Sequence, residues 1–159
     1  MKKGMCLILA VLTVLCACSA FAEQKVQLPD SAYSVTVPDG MTYDGPGENP
    51  DDAKFVWLSE KLGLEIQFFC YGNEKGASLQ SIAEILQEEY ETVQVRLISG
   101  IEMIVYELED PGDPPEKGMK CVGYVLTDGD MIQEICFWYA TQAAADETAV
   151  IIESITDKD

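Results

Sequence analysis

The chain has 159 residues, 28 of them acidic, 10 basic and none histidine, for a net charge of −18. Without an imidazole, Ser-His-Asp and Cys-His catalysis, histidine acid–base chemistry at neutral pH and most zinc sites are ruled out. A field of that sign repels phosphate backbones and anionic headgroups, which excludes nucleic acid as a partner and leaves basic proteins, cationic ligands and divalent ions.

Residues 1–22, "MKKGMCLILAVLTVLCACSAFA", carry Lys2 and Lys3, an apolar run from Met5 to Ala17 and then small residues. That is the layout of a secretory signal peptide, and the run falls short of the roughly 20 residues a bilayer span needs. Two cuts are on offer. Ala20-Phe21-Ala22 is an A-x-A site that releases a secreted chain beginning at Glu23, and it is the better fit. Leu15-Cys16-Ala17-Cys18 is the alternative, a lipobox with an unusual Cys16, which would lipidate Cys18 and hold the protein to the outer face of the cytoplasmic membrane. Losing Lys2 and Lys3 leaves eight basic residues against 28 acidic ones, a net −20. About 137 remaining residues make one domain of ordinary size, read as a leader over 23–32 and a domain over 33–157.

"YSVTV", residues 33–37, alternates and reads as a strand ended by Pro38-Asp39-Gly40; "PDGMTYDGPGENPDD" then reads as a long loop. "AKFVWLSE" and "LGLEIQFFCY" are the next two strands. Ser78 is the cap candidate for a helix over "SLQSIAEILQEEY", whose buried face is expected to hold Leu79, Ile82, Ile85, Leu86 and Tyr90. "VQVRLIS" and "IEMIVYELE" form a hairpin around Ser99-Gly100. "DPGDPPEKG" breaks the chain. "MKCVGYVLT" and "MIQEICFWYAT" form a second hairpin around Asp128-Gly129. Thr141 caps a last helix that buries Ala144, Thr148, Ile151 and Ile155, joined by Ala145 and Ile152.

The final hairpin decides the layering. Val122, Tyr124, Leu126, Ile135 and Phe137 fall on one side of it, and Val125, Ile132, Cys136 and Trp138 on the other. A ribbon apolar on both sides must be covered on both sides. With two amphipathic helices available, the expected fold is α+β: a three-layer α/β/α sandwich around an antiparallel sheet of about six to seven strands, in the order β(3)-α-β(4)-α.

Three cysteines remain after export, Cys70, Cys121 and Cys136. A turn at Asp128-Gly129 sets Cys121 directly opposite Cys136, inside the disulfide window. The pair reads either as a disulfide or as two buried thiols, and Cys70 reads as core. No carboxylate pair lies in a recognisable hydrolase motif. "EDPGDPPE" and "DGPGENPDD" offer oxygen ligands for calcium, but neither has EF-hand spacing, and solvated loops are the simpler reading. Trp57 and Trp138 sit within strands and read as core. No phosphate-cradling glycine pattern, cofactor motif, metal site or catalytic residue emerges.

"YSVTVPDG", "SLQSIAEILQEEY", "LISGIEMIVYE", "CVGYVLTDGDMIQEICFWYAT" and the closing "IIESI" together resemble the PsbP-like superfamily, whose fold is shared by the extrinsic subunit of photosystem II and a Ran-binding nuclear import factor. The resemblance spans about residues 33–155. It implies an α/β/α sandwich with an antiparallel sheet and a non-enzymatic binding or assembly role, and it carries over no functional residue. The expected function is an exported, non-catalytic domain that binds a protein or cell-envelope component. A small carboxylate-based hydrolase and cation binding at the acidic loops are the alternatives.

Overall fold

The computed structural model describes residues 23–47, 52–108 and 119–157. The signal segment with both cut sites up to Ala22, residues 48–51 of the first acidic loop and all of "EDPGDPPE" lie outside the described residues, as does the end of the chain. No described helix is long and apolar enough to cross a membrane.

The described residues form nine strands and two helices. Five strands precede the first helix: β1 (Gln24–Gln27), β2 (Ser34–Val37), β3 (Thr42–Gly45), β4 (Phe55–Ser59) and β5 (Leu64–Gly72). Helix α1 (Leu79–Glu89) leads into β6 (Thr92–Ile98), β7 (Ile101–Leu108), β8 (Lys120–Asp128) and β9 (Met131–Tyr139), and α2 (Gln142–Glu153) closes the fold. Seven strands make one antiparallel sheet in the order β3-β4-β5-β9-β8-β7-β6, while β1 and β2 pair separately.

The protein is thus α+β with a seven-stranded antiparallel sheet, as expected, but five strands rather than three precede α1. The stretch over 23–32 carries β1, and the loop after Gly40 carries β3. Both were hidden by composition: β1 reads "QKVQ" with only Val26 buried, and β3 reads "TYDG" with three exposed residues. The "YSVTV" strand, β2, belongs to the small sheet and not to the large one.

Each face of the large sheet has its own core. On one, Leu64, Ile66 and Phe68 of β5 join Val122, Tyr124 and Leu126 of β8, with Ile135 and Phe137 of β9, beneath α2 and the β1–β2 hairpin. On the other, Ile104, Tyr106 and Val125 pack under Leu79, Ile82, Ala83 and Leu86 of α1 and Tyr90 just past its end. This is the covering that a ribbon apolar on both sides demands. Both caps form as read: Ser78 Oγ accepts from Ser81 N and Thr141 Oγ1 from Ala144 N. Helix α2 buries Ala144, Thr148, Ile151 and Ile152, with Ile155 just beyond its end.

One core assignment fails. Ile85 is 60% exposed, and Ala83 is the buried residue of α1. At 100° per residue Ile85 sits about 120° round the helix from Leu79, off a stripe that Leu79, Ile82, Ala83, Leu86 and Tyr90 already fill.

The second hairpin also differs from expectation. Asp128 pairs with Met131, so Cys121 lies opposite Trp138 and Cys136 opposite Gly123. The turn residues are Gly129 and Asp130. Gly129 has φ 58° and Asp130 is not in the positive region, the pattern of a turn that wants glycine at its first central position. Asp128 stays in the strand, where its carboxylate accepts from Ser31 Oγ and Ala32 N at 2.6 and 2.9 Å. The two cysteines are therefore diagonal neighbours. Both are free thiols here, their side chains close enough to hydrogen-bond to one another.

Candidate functional site

Among the described residues, a buried cluster and an open cleft each gather polar groups against apolar walls. The buried one lies between the large sheet and α1. Tyr106 pairs with Gly123, and Gly123 with Cys136, so the three lie in one row across β7, β8 and β9. With no side chain at Gly123, the Tyr106 ring lies over that strand, and its hydroxyl reaches Cys136 Sγ at 3.5 Å and Oε1 of Glu134. Tyr71 Oη donates to the other Glu134 oxygen at 3.0 Å. Tyr90, just past the end of α1, stacks on Tyr106 with ring centroids 4.7 Å apart and planes 22° from parallel.

Tyr106 and its neighbour Cys121 hold their protons. Burial pushes the Tyr106 phenol well above its ordinary value, with Cys136 and Glu134 adding to the shift. The hydrogen bond with Cys136, then burial, does the same to the Cys121 thiol. A nucleophilic cysteine needs the opposite, a thiolate drawn out by a cation, a helix N-terminus or a base. Cys121, Cys136 and Tyr106 are all buried. The cluster is a satisfied polar network, in which Glu134 accepts from two phenolic donors, Tyr106 on the buried side and Tyr71 toward solvent.

Sequence reasoning named Cys121 and Cys136 here but missed Tyr106, Glu134, Tyr71 and Gly123. The signals were present. A lone carboxylate inside "MIQEICFWYAT" needs donors on neighbouring strands, and a glycine in mid-strand marks a close approach by something else.

Cys70 is half-buried, with its thiol raised chiefly by burial, and it accepts from Gln133 Nε2 at 3.3 Å. Trp57 is half-buried and packs against the first core with Phe55. Trp138 is half-buried as well, and its indole nitrogen has no protein partner among the described residues.

The open site is a cleft of about 640 Å³ between α2, the turn after β2 and the turn after β4. Pro38, Leu62 and Val150 give it apolar walls, and Glu23, Asp39, Glu147 and Lys61 line it with charge. Both serine hydroxyls are spent on the fold: Ser154 Oγ accepts from Thr36 N at 2.7 Å and donates to Ile151 O at 2.6 Å, and Ser59 Oγ accepts from Leu62 N at 3.4 Å. Glu23, the first residue after the expected cut, is part of this rim. Among the described residues no three acidic or thiol groups converge so as to hold a metal ion. The cleft offers shape, apolar contact and mostly negative charge, which suits binding better than bond-breaking.

No family model matches the chain, and no curated protein does. Solved structures do. The solution structure of cyanobacterial PsbP (CyanoP) from Synechocystis sp. PCC 6803 superposes with a TM-score of 0.62 at 10% identity, over 89% of this chain and 95% of that one. A crystal structure from Bacteroides thetaiotaomicron VPI-5482 superposes with a TM-score of 0.55 at 13% identity, over 86% of this chain but only 48% of that one. With its seven-stranded antiparallel sheet layered between α1 on one face and α2 with the β1–β2 hairpin on the other, the chain has the PsbP-like fold.

Proposed function

We propose that the protein is an exported, non-catalytic domain that binds a basic protein or envelope component through the cleft beside α2. The observation that carries this reading is the composition of that cleft. Val150 is 61% exposed there, and carboxylates from three separate segments surround it. An exposed apolar wall framed by charge is the anatomy of a docking site, where the apolar centre supplies affinity and the charged rim steers the partner. The raised thiols and phenols and the absence of histidine support a non-catalytic role.

Export is inferred from the layout of residues 1–22, with release after Ala22 preferred to lipidation at Cys18. The position of β1 favours release. From Cys18 to the start of the strand at Gln24 the chain spans at most about 20 Å. A lipid anchor would therefore press a domain of net charge near −20 against an anionic surface.

The test places a photo-crosslinking residue at position 150 of the exported chain in the source cells. The expected result is one discrete adduct, lost in Glu147→Lys. No adduct from position 150, or ester or glycoside turnover abolished by Glu147→Gln, would refute the binding role. Intact mass decides the cut: a diacylglyceryl increment on a chain beginning at Cys18 contradicts release.

A further inference from the structure

β6 is an outer strand of the large sheet, and no described strand pairs with its free side. Proline, charged side chains (lysine above all), bulges and short length are the devices that blunt such an edge. β6 has one of them, Arg96, whose guanidinium is turned onto Gln94 of its own strand; its seven residues read "TVQVRLI", and its register with β7 is unbroken from Thr92↔Glu107 to Ile98↔Ile101. The opposite edge is protected, since β3 has four residues and a register shift between Tyr43 and Gly45.

The turn after β6 settles which backbone groups are free. Ser99 and Gly100 both have positive φ, 51° and 84°. A two-residue turn of that kind closes on a hydrogen-bonded pair, here Ile98↔Ile101. Hydrogen-bonded pairs recur at every second residue, so Arg96, Gln94 and Thr92 spend their backbone groups on β7. Val93, Val95 and Leu97 point theirs away from the sheet. The side chains of those same three residues share one face of the strand, where Val95 is 43% and Leu97 71% exposed.

We propose that β6 is the two-fold seam of a homodimer, pairing antiparallel with β6 of a second copy about Val95. That axis sets Val95 against Val95 of the second copy, Val93 against Leu97 and Gln94 against Arg96. The strand is self-complementary on both faces, as a two-fold interface requires. One face gains a continuous aliphatic row. On the other, the Gln94 amide oxygen, which accepts from Arg96 Nε and Nη2 of its own strand at 3.2 and 2.8 Å, meets a second guanidinium. About six backbone hydrogen bonds close the seam, and the two sheets become one.

Charge selects this occupant. β6 carries one cation and no carboxylate in a chain of net −18. Two copies can meet along it without acid facing acid, whereas a cationic segment would find no anion on the strand to recognise. Salt separates the two cases. Repulsion between two acidic bodies is screened by salt, so self-association tightens as salt rises; capture of a cationic partner weakens.

The chain purified after export is examined by sedimentation over a range of concentrations at low and high salt, with circular dichroism to check folding. The expected result is a dimer that tightens with salt and is weakened at least about tenfold by Leu97→Lys, which enters a two-fold seam twice. Thr42→Lys on the opposite edge leaves the dimer unchanged. Hydrogen exchange reads the seam itself: the amides of Val93, Val95 and Leu97 are protected in concentrated samples and exchange freely in dilute ones. A monomer under all conditions, a dimer indifferent to Leu97→Lys, or equal exchange at both concentrations would each overturn the proposal.

Discussion

Gly123 has no side chain because the Tyr106 ring fills the space one would take. The cost of Gly123→Ala is therefore one of crowding rather than of backbone conformation. It is expected to lower stability by about 1–3 kcal/mol, read as a reduced urea midpoint, and to do so without touching the cleft beside α2. The cysteines follow from the same row of residues. Because Cys136 faces Gly123 and not Cys121, the exported protein is expected to keep all three thiols. Alkylation in denaturant should add three labels per chain by mass. A chain that is two hydrogens lighter and takes one label would show that the strands shift to let Cys121 and Cys136 bond.

Among the elements, the N-terminus of α2 rests on a single side-chain cap. Thr141 Oγ1 accepts from Ala144 N at 3.1 Å, and neither the first nor the last turn of that helix carries a charge favourable to its dipole. Thr141→Ala is expected to cost about 1 kcal/mol by urea unfolding, and Thr141→Ser to restore most of it. Capping and periodicity made both helices legible from the chain alone, and alternation did the same for β4 to β9. What escaped was what those signals do not encode. β1 and β3 are short and mostly exposed, so hydropathy has little to register. At the β8–β9 turn the sequence Asp128-Gly129-Asp130 allows glycine in either central position, and the choice moves the register by two residues. A shift of two keeps every side chain on its own face. The layering of the ribbon was therefore predicted correctly although the cross-strand partners were not. The polar cluster was half-legible for a related reason: two of its members are cysteines, which attract notice, while Tyr106 and Glu134 reveal themselves only once the strands are ordered.

For the molecule as a whole, the buried ionisable groups set an alkaline limit. Burial, first among the causes, raises Tyr33, Tyr90, Tyr106, Tyr124 and Tyr139. Cys70 is raised chiefly by burial too, and Cys121 chiefly by its bond with Cys136. A group whose folded pKa lies above its unfolded one stabilises fully below the unfolded value, and that contribution is lost as pH climbs through the folded value. With unfolded thiols near 8.5 and phenols near 10, the urea midpoint is expected to be insensitive to these groups up to about pH 8 and to fall increasingly above about pH 10. A midpoint still level at pH 11 would contradict this account.

Ser34 and Thr156 exchange backbone hydrogen bonds at 2.9 and 3.0 Å, while Ser34 also pairs with Gln27 on its other side. The two ends of the domain are thus stitched to the same residue. Tension applied between them would fall on this small seam before it reached the large sheet. The hairpin would peel away first, like a ripcord, and the main body would come through the pull intact.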